Sequence, residues 1–234
     1  LQTFTLAVLA GAFIAFGAMF YTVVITQSSL GFGPTRLLGG VAFSLGLVLV
    51  IVGGAELFTG NNLVVMAWAE RRITTRGLLR NWSLVYIGNM LGSVASAVFV
   101  AWSGVLDLAN GAVGATAIAV ATQKAALPIE QAFVRGLLCN ALVCLAVWLS
   151  FAPRDVAGKI LAIVFPISAF VALGFEHSIA NMYLIPVGIL AGADLGLGLV
   201  LRSLFWVTLG NIVGGAGFVG LVYWINYGRH RPTA

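Results

Sequence analysis

Charge is the scarcest property of this chain. Of its 234 residues only 8% are Asp, Glu, Lys or Arg, against about a quarter in soluble globular domains. With 61% hydrophobic residues and a mean hydropathy of +1.06, that scarcity excludes a water-soluble domain. Histidine is rarer still, with two copies. Neither sits in a His-Glu-x-x-His pattern and no Gly-x-Ser-x-Gly occurs, so the usual equipment of a metallopeptidase or serine hydrolase is missing. An intramembrane enzyme built on Glu176 and His177 is therefore a remote alternative, and no metal or cofactor is expected. Cys139 and Cys144 lie five positions apart, on different faces of a helix and outside any ligand cluster. They read as small core residues rather than a disulfide.

What is present is apolar sequence in long runs. A span needs about 20 such residues, so six spans with their connections use the whole length, as one transmembrane domain over residues 1–234. The expected spans are about 4–26, 36–69, 82–102, 132–151, 160–191 and 199–225. Residues 103–129, rich in Gly and Ala, are predicted to form a connection with a short helix near the membrane surface. The chain opens at Leu1 close to an apolar run and without an initiator Met, so a preceding N-terminal piece is expected. No signal peptide separates from the first span.

The net charge of +5 calls for no nucleic acid, because the basic residues collect at span ends. With the N-terminus in the cytoplasm, the inside segments hold eight of them: Arg71, Arg72, Arg76, Arg80, Arg154, Lys159, Arg229 and Arg231. The outside segments hold four: Arg36, Lys124, Arg135 and Arg202. That bias predicts both termini inside, as an even number of spans requires.

Two spans are interrupted. Span two carries Gly54-Ala55-Glu56-Leu57-Phe58-Thr59-Gly60-Asn61-Asn62, and span five carries Gly174-Phe175-Glu176-His177 ahead of Pro186. Ionisable groups at that depth face a cavity or pathway, and non-helical backbone there is tolerated only inside protein or beside water. The interruptions correspond: Gly54-x-Glu56 and Gly174-x-Glu176 are 120 positions apart, and Gly88-Asn89 and Gly210-Asn211 are 122 apart. Three spans per half make the halves inverted, over about 1–103 and 130–227. Interrupted helices at matching places in inverted repeats point to a midplane site.

The chemistry there suits a small anion that accepts a proton. Half-helix ends present N–H groups and partial positive charge. Thr59 adds a hydroxyl, and Asn89, Asn140 and Asn211 add amides that satisfy loop backbone or line a pathway. An imidazole with an unperturbed pKa of about 6.5 exchanges protons near neutrality, which is the role expected of His177. Glu56 and Glu176 are read as structural, their carboxylates capping the half-helices that follow. Taken alone, Phe43, Leu47, Leu57 and Phe170 read as core or lipid-facing residues, and Lys124 as a snorkelling loop residue.

Glu56-Leu57-Phe58-Thr59-Gly60, the run from Asn140 to Trp148, Gly174 to Met182 and Thr208-Leu-Gly-Asn211 together resemble the formate/nitrite transporter family along nearly the whole chain. The resemblance implies an all-α, aquaporin-like subunit with six transmembrane helices, a homopentamer, and one pore per protomer in the cell (inner) membrane. It gives His177 the place of a central pore histidine and Thr59 that of the threonine facing it, with Asn140 and Asn211 nearby. Lys124 takes the place of a vestibule lysine that raises local anion concentration. Phe43, Leu47, Leu57 and Phe170 take those of two apolar constrictions. Gly174 to Pro186 is most similar to the formate branch. The expected function is thus a channel or transporter for formate, with proton-coupled or pH-dependent passage past His177; nitrite or hydrosulfide is the alternative. No Asn-Pro-Ala pair occurs, which disfavours a neutral-solute pore.

Overall fold

The computed structural model describes residues 1–228, and among them every regular element is helical. Arg229 and Arg231, which entered the inside charge count, lie outside the described residues. The elements are α1 (Gln2–Ile25), α2 (Phe32–Gly53), α3 (Val65–Ala69), α4 (Thr75–Trp102), α5 (Ala112–Ala125), α6 (Ile129–Leu149), α7 (Val156–Leu173), α8 (Ser178–Leu190) and α9 (Leu197–Ile212). A 3₁₀ turn over Gly60–Val64 leads into α3, and α9 continues with π winding over Val213–Leu221 and Trp224–Gly228. Six helical segments are long and apolar enough to cross a bilayer.

In lipid, apolar side chains gain little by leaving one hydrocarbon phase for another, so helices associate through close packing of small residues. α1 follows that rule. It buries Ala7, Ala10, Gly11, Ala15, Gly17 and Ala18 against α2 and α4. α6 packs on α9 and α7 in the same manner, and contacts of α2 with α7 and of α4 with α8 join the halves. The closest approaches are paired between the halves: a Cβ at Gly92 would strike the Val8 carbonyl, and one at Gly214 the Leu137 carbonyl.

Three boundaries differ from expectation. The helix arms before the breaks are of full span length, 22 residues in α2 and 18 in α7, about 33 and 27 Å at 1.5 Å per residue. Only the second arms are short, so each break lies toward one end of its span. α4 begins at Thr75, where Thr74 Oγ1 accepts the Gly77 N–H at 3.1 Å. Arg76 and Arg80 thus belong to its first turns rather than to a basic loop. α5 is no detached surface helix. Val113, Ala117, Ala121 and Ala125 form a buried i, i+4 stripe, and Gly188 of α8 leaves room for Ala117 and Ala121.

Candidate functional site

Breaking a helix inside a membrane leaves amides and carbonyls without partners, each costing several kcal/mol in hydrocarbon. Two asparagines meet that cost here. α2 ends on Gly54, left-handed at φ 72°, and α7 ends on Gly174, left-handed at φ 74°. After the first break Glu56 N–H donates to the Leu6 carbonyl at 3.3 Å. Asn89 Oδ1 accepts Phe58 N–H at 2.8 Å, while its Nδ2 donates to the carbonyls of Ala7 and Glu56 at 2.7 and 2.9 Å. After the second break Glu176 N–H donates to the Arg135 carbonyl at 3.2 Å. Asn211 Oδ1 accepts Ser178 N–H at 2.9 Å, and its Nδ2 donates to Gly136 and Glu176 at 2.8 and 2.9 Å. Asn140 ties the two systems together, donating to the Thr59 carbonyl at 3.2 Å and the Asn211 carbonyl at 2.7 Å.

His177 stands at the head of α8. Its Nδ1 accepts the Ala180 N–H at 3.1 Å, so the imidazole is the N-cap of that helix. Its Nε2 lies 2.9 Å from Thr59 Oγ1. An Nδ1 that accepts a hydrogen bond carries no proton, so a neutral ring must hold its proton on Nε2 and donate it to Thr59. The hydroxyl hydrogen of Thr59 is then left to point onward. The ring is 2% exposed and stacks on Phe170 at 6.0 Å, and Phe170 meets Phe43 edge-on at 5.6 Å.

The expected capping by carboxylates does not occur. Glu176 turns instead to Lys124, whose Nζ is 3.0 Å from both carboxylate oxygens, and accepts a further bond from Asn181 Nδ2 at 2.8 Å. Glu56 accepts Asn61 Nδ2 at 2.6 Å. Each Glu thus binds the Asn five residues on, and the imidazole, being shorter and one residue later, takes the cap. Lys124 is accordingly no bare attractor, because its charge is balanced by a carboxylate with side-chain exposures of 16% and 5% for the pair.

Two cavities approach this centre. One, of about 210 Å³, is lined by His177, Lys124, Glu176, Phe43 and Phe170. The other, of about 330 Å³, is lined by Leu47, Leu57 and neighbouring apolar side chains. Among the described residues none lines both. Phe43, which lines the first, and Leu47, which lines the second, are one turn apart on α2, about 6 Å along its axis. Asn140, Asn211 and Thr59 are fully buried and line neither cavity; they hold the groups that do.

The sequence reading missed Arg36 as part of this site. Its Nε and Nη2 donate to the carbonyls of Ala172 and Val171 at 3.0 and 2.9 Å, at the negative end of α7, and it lines the cavity of His177. An arginine opening a span reads as an interfacial anchor, and nothing local links it to a helix end 135 residues away. Among the described residues no three His, Cys, Asp or Glu side chains gather as metal ligands.

A family model described as formate/nitrite transporter matches residues 1–225. The chain is 40% identical over 251 positions to formate channel FocA of Escherichia coli (strain K12), covering 99% of this chain and 88% of that protein. It is 42% identical over 243 positions to a probable formate transporter of Methanothermobacter thermautotrophicus, covering 97% and 89%. A solved structure, described as a pentameric formate channel with formate bound, is similar with a TM-score of 0.86 at 39% identity. That match covers 97% of this chain and 96% of the other.

Proposed function

The chain belongs to the formate/nitrite transporter family, and from that premise we propose that it is a formate channel in which passage depends on pH at His177. The observation that carries this reading is the buried contact between His177 Nε2 and Thr59 Oγ1 at 2.9 Å, set beside the wall that separates two cavities. The formate-bound pentamer among its structural relatives supports the substrate and a homopentameric assembly. Nitrite and hydrosulfide remain the competing anions.

Formate collects in the cavity of His177, where Lys124 is balanced by Glu176 and the guanidinium groups of Arg36 and Arg135 supply the excess positive charge that raises local anion concentration. Ahead lie Phe43 and Phe170, then Leu47 and Leu57, an apolar passage that a bare carboxylate crosses at high cost. A neutral imidazole cannot surrender its Nε2 proton and remain neutral. Imidazolium would carry Nδ1–H against the Ala180 N–H, donor against donor. The geometry therefore favours His177 as a neutral donor that exchanges Thr59 for a formate oxygen, while the neutralising proton is relayed from bulk past the same ring. The whole chain is one channel domain, its inverted repeats over about 1–103 and 130–227. It lies in the inner membrane with both termini cytoplasmic, a reading supported by the eight basic residues on that side against four on the other.

Stopped-flow uptake into proteoliposomes tests the reading. Formate flux should exceed that of empty vesicles severalfold and rise as external pH falls. Flux equal to empty vesicles would overturn it. Nitrite or hydrosulfide outrunning formate in competition would reassign the substrate within the family.

A further inference from the structure

Arg71 occupies a backbone position that ordinarily asks for glycine. Helix α3 closes with hydrogen bonds from Arg72 N–H to the Ala67 carbonyl and from Arg71 N–H to the Trp68 carbonyl, each 2.9 Å. That is the bonding of a Schellman turn, whose residue after the cap is left-handed and usually Gly. Here it is Arg71, at φ 59°. A long side chain in that conformation is strained, and the side chain is the one thing that glycine would lack.

That side chain lines a cavity of about 700 Å³ between the α3–α4 connection and the end of the last span. Arg72, Trp68, Ile73, Leu221 and Trp224 complete the principal walls. The surroundings are basic: residues 68–80 contain Arg71, Arg72, Arg76 and Arg80 against one carboxylate, Glu70. Glu70 pairs with Arg72 at 2.7 Å, and Arg71 has no ion-pair partner among the described residues. Trp68 is held in place by its indole N–H, which donates to Thr75 Oγ1 at 3.0 Å. Tryptophan at the ends of spans marks the level of the lipid headgroups, and basic pockets at that level suit anionic phosphodiesters. A free phosphate would make no use of the Ile73 and Leu221 walls.

We propose that this cavity holds the headgroup of an anionic phospholipid, with Arg71 pairing its phosphodiester between Trp68 and Trp224. The inference rests on the membrane-spanning fold and is independent of the transported anion. Native mass spectrometry of the full-length protein tests it, with phosphatidylglycerol and phosphatidylcholine of matched acyl chains. The anionic lipid should be retained about fivefold more, the change that one juxtamembrane cation supplies. Arg71→Gly should abolish that preference with an unchanged or higher thermal midpoint, since glycine suits the turn, and Arg71→Lys should keep part of it. Equal retention of the two lipids, or a preference that survives Arg71→Gly, would overturn the proposal. Displacement of the lipid by inorganic phosphate would also overturn it, in favour of a free-anion site. A lowered midpoint in Arg71→Gly would do so too, by making the residue a part of the turn.

Discussion

Asn89 and Asn211 make the same three hydrogen bonds from matching places in the two halves of the chain. Each accepts one amide proton just past a helix break and donates to the carbonyl two residues before that amide. Each donates again to a carbonyl of the first helix of its own half, Ala7 for Asn89 and Gly136 for Asn211. The partners Ala7 and Gly136 are 129 positions apart, whereas the breaks are 120 apart. The correspondence is therefore spatial and survives unequal connections.

Removing either asparagine should unmake its break. In Asn211→Leu, the Ser178 N–H and the Glu176 carbonyl at the break lose their side-chain partner, at about 1–3 kcal/mol each. A fall of many degrees in the thermal midpoint of the purified protein is expected, with a comparable fall for Asn89→Leu. A midpoint within one or two degrees of wild type would contradict this account of the breaks.

His177 does two separable things, capping α8 through Nδ1 and facing Thr59 through Nε2. Asparagine is a good N-cap but has no ring Nε2–H to face formate and pass a proton on. His177→Asn should therefore keep the fold within about 1 kcal/mol while flattening the dependence of formate uptake on external pH. Unaltered pH dependence in that variant would remove the proton role from His177.

The Lys124–Glu176 pair should show the asymmetry of buried ion pairs. Glu176→Gln leaves a buried ammonium uncompensated, a loss bounded above by about 3–5 kcal/mol for a fully buried pair. Adding Lys124→Met should recover most of the stability, because the unpaired charge is gone, but not the uptake rate at low salt. Denaturation and uptake measured on the same preparations separate the two effects. A double variant no more stable than Glu176→Gln would count against the pair.

The apolar partition can be thinned from either side. Phe43→Ala and Leu47→Ala each remove buried volume, at roughly 2–5 kcal/mol, and each should raise flux and admit carboxylates bulkier than formate. Uptake of acetate against formate reads this directly. Selectivity as narrow as wild type in both variants would place the constriction elsewhere.

Most of the architecture was legible in the sequence because it is written in one-dimensional patterns. Run length shows in hydropathy, and breaks show as glycine beside glutamate. Gly-Asn-x-x-Gly recurs one span after each break, and its two asparagines, Asn89 and Asn211, both bond to backbone at the breaks. The misreadings have a common character. Carboxylates are good caps, so the sequence suggests that role for Glu176, but its partner, Lys124, stands 52 residues upstream on α5. The lower hydropathy of residues 103–129 shows a connection with a short helix but not its packing, in which Ala117 and Ala121 meet Gly188.

The sequence by itself determined the membrane class, the six spans, the two interruptions and the residues brought to them, since each follows from local composition and spacing. The tertiary structure alone decided how those residues are paired: His177 as the cap with Nε2 facing Thr59, Glu176 bound to Lys124, Arg36 on the carbonyl end of α7. The physical reason is that a hydrogen bond is settled by distance and direction within about 3 Å. Two helices that meet at that range can be separated by any number of residues along the chain.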